Sequence, residues 1–150
     1  MSSHTGNIVA LAEDFFKAMN SHDPAKIAAF FAEDSTFWEA SLPAPIKGKK
    51  AVEEHFRENW KAFPDSTVKL LNRITSGEWI ADEVEWSGTH KGPIQAPGQP
   101  PIPPTGKHIL GKAVAYVQTS KGKVKQMNIY YDNMAVMAQL GLMPGTGGTH

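Results

Sequence analysis

Gly122-Lys-Val-Lys-Gln-Met-Asn-Ile-Tyr-Tyr-Asp-Asn-Met-Ala-Val-Met-Ala-Gln-Leu-Gly141 reads as a strand running straight into a helix. Lys123 to Tyr131 has strand composition, and the apolar spacing from about Asn133 to Leu140 predicts a helix. Asp132 stands at the junction. Aspartate is a favoured N-cap, because its carboxylate accepts from the unpaired amides of the first helical turn. A carboxylate where a strand opens into a cavity is also placed to take a proton. The residues alone leave both readings open.

Working outward, Lys121-Gly122 is a turn that joins this strand to another, Lys107 to Thr119. Before it, Gly92 to Gly106 holds six prolines and three glycines, which predicts a loop. It is read as a rigid surface loop, with a lid as the sharper alternative. Glu78 to His90 is a long strand, and Ser76-Gly77 turns the chain back into a strand over Thr67 to Thr75. The first half is helical. The spacing of Ile8, Leu11, Ala12, Phe15, Phe16 and Met19 predicts an amphipathic helix from His4 to Asn20. Asp23-Pro24 opens a short second helix to about Ala32. Ser35 to Glu39 has strand composition, and Leu42 to Gly48 is a loop. Lys49 to about Phe63 is a third helix, with Val52, His55, Phe56 and Trp60 toward one side. The tail Pro144 to His150 is expected to be loose. Helices first and antiparallel strands after them give an α+β fold, with a curved sheet wrapped over three N-terminal helices and a short C-terminal helix. Such a cup suits a small apolar or polycyclic ligand.

Composition narrows the function. At 150 residues a single domain is expected, and the 41% hydrophobic and 20% charged fractions suit a globular chain. A net charge of zero offers no attraction to nucleic acid or an anionic membrane, and favours self-association as a homodimer or homotetramer. No cysteine is present, so disulfides and thiolate metal sites are excluded. Met1-Ser-Ser-His-Thr-Gly-Asn lacks a basic region followed by an apolar core, so no signal peptide is expected and the cytoplasm is the expected compartment. Gly-rich phosphate loops, His-Glu-x-x-His and Gly-x-Ser-x-Gly are all absent, and the six histidines lack helical metal spacing, so no metal site is expected.

Alternation nominates a pocket lining. In the last strand Val124, Gln126, Asn128, Tyr130 and Asp132 share a face too polar for a dry core. In the long strand Ile80, Asp82, Val84, Trp86, Gly88 and His90 share another. In the next, His108, Leu110, Lys112, Val114 and Tyr116 do. His90 and His108 flank the Pro-rich loop and are expected near each other at the cavity mouth. Phe15, Phe16, Trp38, Trp60, Trp86 and Tyr116 are core or ligand box. Arg73 alternates with Val68, Leu70 and Ile74, which predicts an outward side chain. That weighs against an Asp-Arg-Asp epoxide hydrolase built with Asp82 and Asp132. A non-catalytic binding module remains as a third reading.

Several segments in order resemble one family. They are Phe15-Phe16-Lys-Ala-Met-Asn, Asp23, Gly48, Ala62-Phe-Pro-Asp65, Trp86-Ser-Gly-Thr-His-Lys-Gly92, Pro103-Pro-Thr-Gly-Lys107, and Asp132 with Gln139-Leu-Gly-Leu142. The chain resembles the SnoaL-like polyketide cyclases of the nuclear-transport-factor-2-like superfamily. The resemblance implies a cone-shaped α+β fold and a cofactor-free intramolecular aldol cyclisation. It implies Asp132 as general acid/base and His90 as its assistant. Phe15, Trp38, Trp60, Trp86, His108, Tyr116, Asn128 and Tyr130 are the expected substrate contacts. Asn128 departs from the family's frequent aromatic four residues before the aspartate, and Gln95 to Pro101 lengthens the loop.

Overall fold

The computed structural model describes residues 3–95 and 98–143; the tail from Pro144 lies outside them. Three helices come first: α1 (Ser3–Met19), α2 (Pro24–Ala28) and, after strands β1 (Phe31–Glu39) and β2 (Ile46–Lys47), α3 (Lys49–Ala62). Strands β3 (Thr67–Ser76), β4 (Trp79–Thr89), β5 (His108–Ser120) and β6 (Lys123–Tyr131) follow, and α4 (Asn133–Gln139) closes the chain. The fold is α+β, as expected.

The strand order is β2-β1-β6-β5-β4-β3. Only β1 and β6 pair in parallel; the other neighbours are antiparallel. Irregularities interrupt β1 between Phe31 and Thr36, β3 between Leu70 and Asn72, and the β5–β6 ladder opposite Lys125. A bulge bends and twists its strand, so three of them curl this sheet. The concave face holds the core: Phe31, Phe37, Ile80, Val117, Val124 and Met127 pack against Ala12 and Phe15 of α1 and Val52, Phe56 and Trp60 of α3.

Local chemistry sets the joints. Asp23 caps α2 by accepting from the amides of Ala25 and Lys26. This helix ends at Ala28, short of the expected Ala32, because Phe31 is needed in the core and already belongs to β1. Gly48 sits at φ +94°, a conformation side chains disfavour, and turns the chain from β2 into α3. Gly92 crosses the end of α3 so closely that an added Cβ would lie 2.2 Å from the Lys61 carbonyl oxygen. The loop after β4 is thereby pressed onto α3. Strand β6 ends opposite Ala113, leaving the β5 backbone at Leu110 without a strand on that side. Gln139 of α4 replaces it: its Oε1 accepts from the Leu110 amide at 2.8 Å and its Nε2 donates to the Leu110 carbonyl at 3.1 Å. This clasp holds α4 across the open end of the cup. Among the described residues, no helix is long and apolar enough to cross a membrane.

Candidate active site

The cup encloses a cavity of about 300 Å³. Its walls are mainly apolar, with Phe15, Phe56, Trp60, Trp86, Ile109 and Met127 among them. Three carboxylates also line it: Glu39, Asp82 and Asp132.

Asp82 is committed to Arg73. The guanidinium grips it in a fork, Nε to Oδ1 at 2.7 Å and NH2 to Oδ2 at 2.9 Å, and also donates to the Ala12 carbonyl at 3.3 Å. Both side chains are largely buried. Such pairs are rigid, and neither partner is free for chemistry.

Glu39 closes β1 on the same inward parity as Ser35 and Phe37. Its Oε1 accepts from the Tyr131 hydroxyl at 2.5 Å and from the Ser41 amide at 2.9 Å, with the Ser41 hydroxyl alongside. His55 of α3 lies with Nε2 3.4 Å from Oε2. Burial alone pushes the Glu39 carboxyl up. The contacts with His55, Ser41 and Tyr131, together with the charge of His55, outweigh it and bring the carboxyl down to about 2. Burial, then the charge and hydrogen bond of Glu39, push the Tyr131 phenol well above its usual value. Glu39 is therefore an anion and Tyr131 a neutral donor near neutral pH.

Asp132 follows Tyr131 in the chain, is exposed and lines the cavity. Its Oδ1 accepts from the Ala135 amide at 3.0 Å and caps α4. No hydrogen bond reaches Oδ2 among the described residues.

A profile of SnoaL-like polyketide cyclases matches residues 9–140. The chain belongs to the SnoaL-like polyketide cyclase family. A candidate SnoaL-like polyketide cyclase from Jannaschia sp. CCS1 shares 18% identity at a TM-score of 0.79, over 93% of this chain and 94% of that one. IdmH, a candidate polyketide cyclase from Streptomyces antibioticus, shares 21% at 0.70, over 89% and 98%. A Catenulispora acidiphila protein of ketosteroid isomerase-like fold, solved with trimethylamine, shares 17% at 0.72, over 88% and 92%. These structures show the shared fold. Among curated proteins none matches significantly.

The SnoaL-like cup brings only some of the expected residues together. Phe15, Trp60, Trp86 and Asp132 line the cavity. His90 does not. It is fully buried with its ring against Phe63, and its Nδ1 accepts from the Thr105 amide at 3.2 Å, beside the Thr105 hydroxyl. Burial pushes its imidazole below the usual value, against a smaller opposing pull from the Gly92 backbone. His90 is thus a neutral pin for the Pro-rich loop. His108 pairs with Thr89 in register but turns to the outer face, where its Nδ1 meets the Thr89 hydroxyl. The two histidines lie at neighbouring strand ends on opposite faces.

Trp38, Tyr116, Asn128 and Tyr130 are also off the cavity. Trp38 packs on Tyr130 with ring centroids 5.2 Å apart, and Tyr116 stacks on Trp79 at 4.8 Å. The cause in β6 is the bulge at Lys125. Val124 and Met127 both point inward, so Ile129 and Tyr131 face the cavity while Asn128 and Tyr130 face out. A bulge at Leu71 reverses β3 in the same way. Arg73 turns in and Ile74 turns out at 71% exposure, the opposite of unbroken alternation.

Glu39, Ser41, His55 and Tyr131 are the site residues that strand alternation missed. A signal existed for two of them. His55 shares a helix face with Val52, Phe56 and Trp60, and Glu39 shares a strand face with Phe37.

Proposed function

We propose that this chain is a cofactor-free acid/base enzyme that cyclises a small apolar carbonyl compound by intramolecular aldol addition, with Asp132 as the proton-abstracting base. One observation carries the reading. Of the three carboxylates on the cavity, only Asp132 keeps, among the described residues, an oxygen with neither a hydrogen bond nor an ion pair; Asp82 is held by Arg73, and Glu39 by His55, Ser41 and Tyr131. A carboxylate oxygen left open beside an apolar cavity is placed to take an activated α-proton. The aromatic walls hold the substrate against it and keep water away from the enolate. The helix cap and the base are compatible, since they use different oxygens.

Epoxide hydrolysis by an Asp-Arg-Asp set fits less well, although Arg73 does face inward. Asp82 aligns through Ala115 with Ile129, so Asp132 stands two strands over and three residues further along. That is roughly 14 Å between backbones, too far to share one water.

The test is α-proton exchange of 2-tetralone in deuterated water, followed by NMR. The wild-type chain is expected to accelerate exchange over buffer, and Asp132→Asn to lower the acceleration by about 10²-fold or more with the fold intact. An Asp132→Asn chain as active as wild type refutes the assignment. A wild-type chain that binds the ketone in a thermal-shift titration without exchanging it is a binding module instead.

A further inference from the structure

The geometry points to His55, held by Glu39, as the acid that protonates the substrate oxygen in this cavity. The inference rests on the aldol reading above and adds a second proton-transferring group to it.

His55 lines the cavity wall, its ring centroid 4.9 Å from that of Phe37. Its side chain is 20% exposed, so the ring is held yet reachable. The nitrogen nearer Glu39 is Nε2, 3.4 Å from a carboxylate oxygen that can only accept. Nε2 therefore carries a proton, and Nδ1 is the nitrogen left for a ligand. Among the described residues no hydrogen bond reaches Nδ1.

The carboxylate is itself fixed. Tyr131 and Ser41 supply three donors to Oε1, which leaves Oε2 turned to the imidazole. Those donors come from the end of β6 and from the loop after β1, so the ring orientation depends on three separate elements meeting at one corner. Glu39 also faces the ring as a counter-charge when Nδ1 takes a proton. Glu39, Tyr131 and Ser41 are positioning residues; only His55 would touch the substrate. Asp132 is the chain neighbour of Tyr131, and Asp132 and His55 both line the cavity.

Nδ1 of the resting Nε2–H imidazole first takes a solvent proton. Asp132 Oδ2 takes the α-proton while Nδ1 gives its proton to the oxygen of that carbonyl, and the C–H electron pair becomes the C=C bond of an enol. The enol carbon bonds to the second carbonyl carbon as the enol O–H proton returns to Nδ1 and the second carbonyl's π pair moves onto its oxygen. That oxygen takes the proton held by Asp132, giving a hydroxyl, and Nδ1 returns its proton to solvent. The product is an isomer of the substrate, and no other reactant enters.

Long-range ¹H–¹⁵N spectra of the imidazoles test this in the intact chain, with 2-naphthol as an enolate-like probe. His55→Gln identifies the His55 signals by their loss. The expected result is an Nε2–H tautomer in the free protein, a shift of the Nδ1 signal on adding 2-naphthol, and loss of that tautomer in Glu39→Gln. In the 2-tetralone assay His55→Gln is expected to lose about 10²-fold. An Nδ1–H tautomer, an Nδ1 signal unmoved by 2-naphthol, or undiminished exchange in His55→Gln overturns the role of His55. If Asp132→Asn still abolishes exchange in that case, the aldol reading survives alone. If the wild type exchanges nothing, both fall.

Discussion

Replacing Glu39 with glutamine tests whether the polar corner holds a true anion. The folded chain keeps this carboxyl at about 2, against 4.5 for the free group. Its side chain is 15% exposed, so solvent screening is modest. The difference corresponds to about 3 kcal/mol of folding stability. The sign follows from the direction. A carboxyl whose pKa is lower in the folded state stabilises at pH above 4.5, and the contribution is lost as pH falls from 4.5 toward 2. Glutamine matches the neutral acid in size and carries no charge. The stability gap between wild type and Glu39→Gln is therefore expected to be about 3 kcal/mol at pH 7 and about half of that near pH 3. Urea unfolding followed by tryptophan fluorescence at pH 7, 4.5 and 3 measures the gap directly. A gap that is the same at pH 7 and pH 3 would show that Glu39 is not held as an anion, and the ring-orienting argument for His55 would lose its footing.

His90→Phe keeps the packing on Phe63 but removes the acceptor for Thr105; a loss of about 1–3 kcal/mol and faster proteolysis between Gly92 and Gly106 are expected, with 2-tetralone exchange unchanged. Lost exchange there would return His90 to the chemistry. Arg73→Met leaves Asp82 buried and unpaired and should cost about 3–5 kcal/mol in thermal unfolding, whereas the Arg73→Met, Asp82→Leu double variant should recover much of it. Equal losses in the two would mean that the ion pair is not what is broken. The homodimer expected from neutrality is proposed to use the convex face, where Leu110, Tyr116 and Tyr130 stand exposed. Tyr116→Asp with Tyr130→Asp should then shift sedimentation from dimer to monomer, and an unshifted dimer places the contact elsewhere.

The fold was legible because it depends on averages. Helical periodicity over α1 and α3, strand composition over β3 to β6 and the Pro-rich break at Gly92 each draw on many residues, and no single position can mislead them. The pocket lining was less legible because it depends on parity, and one extra residue reverses parity. Where β4 runs unbroken, alternation put Ile80, Asp82, Val84 and His90 on the buried face correctly. Where Lys125 bulges from β6 and Leu71 from β3, the same rule sent Asn128 and Tyr130 inward and Arg73 outward. A bulge leaves little trace in residue type: Lys125 and Leu71 are ordinary strand residues on either face. The strands that needed curvature to make the cup are thus the ones whose faces could not be read.

The same physics explains why the site is split between one legible residue and several hidden ones. Asp132 lies past the end of β6, where a helix cap fixes its position whatever the register behind it, so it was visible in the sequence. Tyr131, one residue earlier, is still in the strand and owes its inward direction to the bulge. Once Tyr131 is turned in, its hydroxyl reaches Glu39 at the end of β1, the parallel neighbour of β6. Glu39 then meets His55 across the sheet–helix interface. One inserted residue in β6 therefore couples the curvature of the sheet to the assembly of the polar corner. Were the bulge straightened with every residue kept, an inward Val124 would send Tyr131, seven residues on, to the outer face, and the corner would dissolve although none of its residues had been changed.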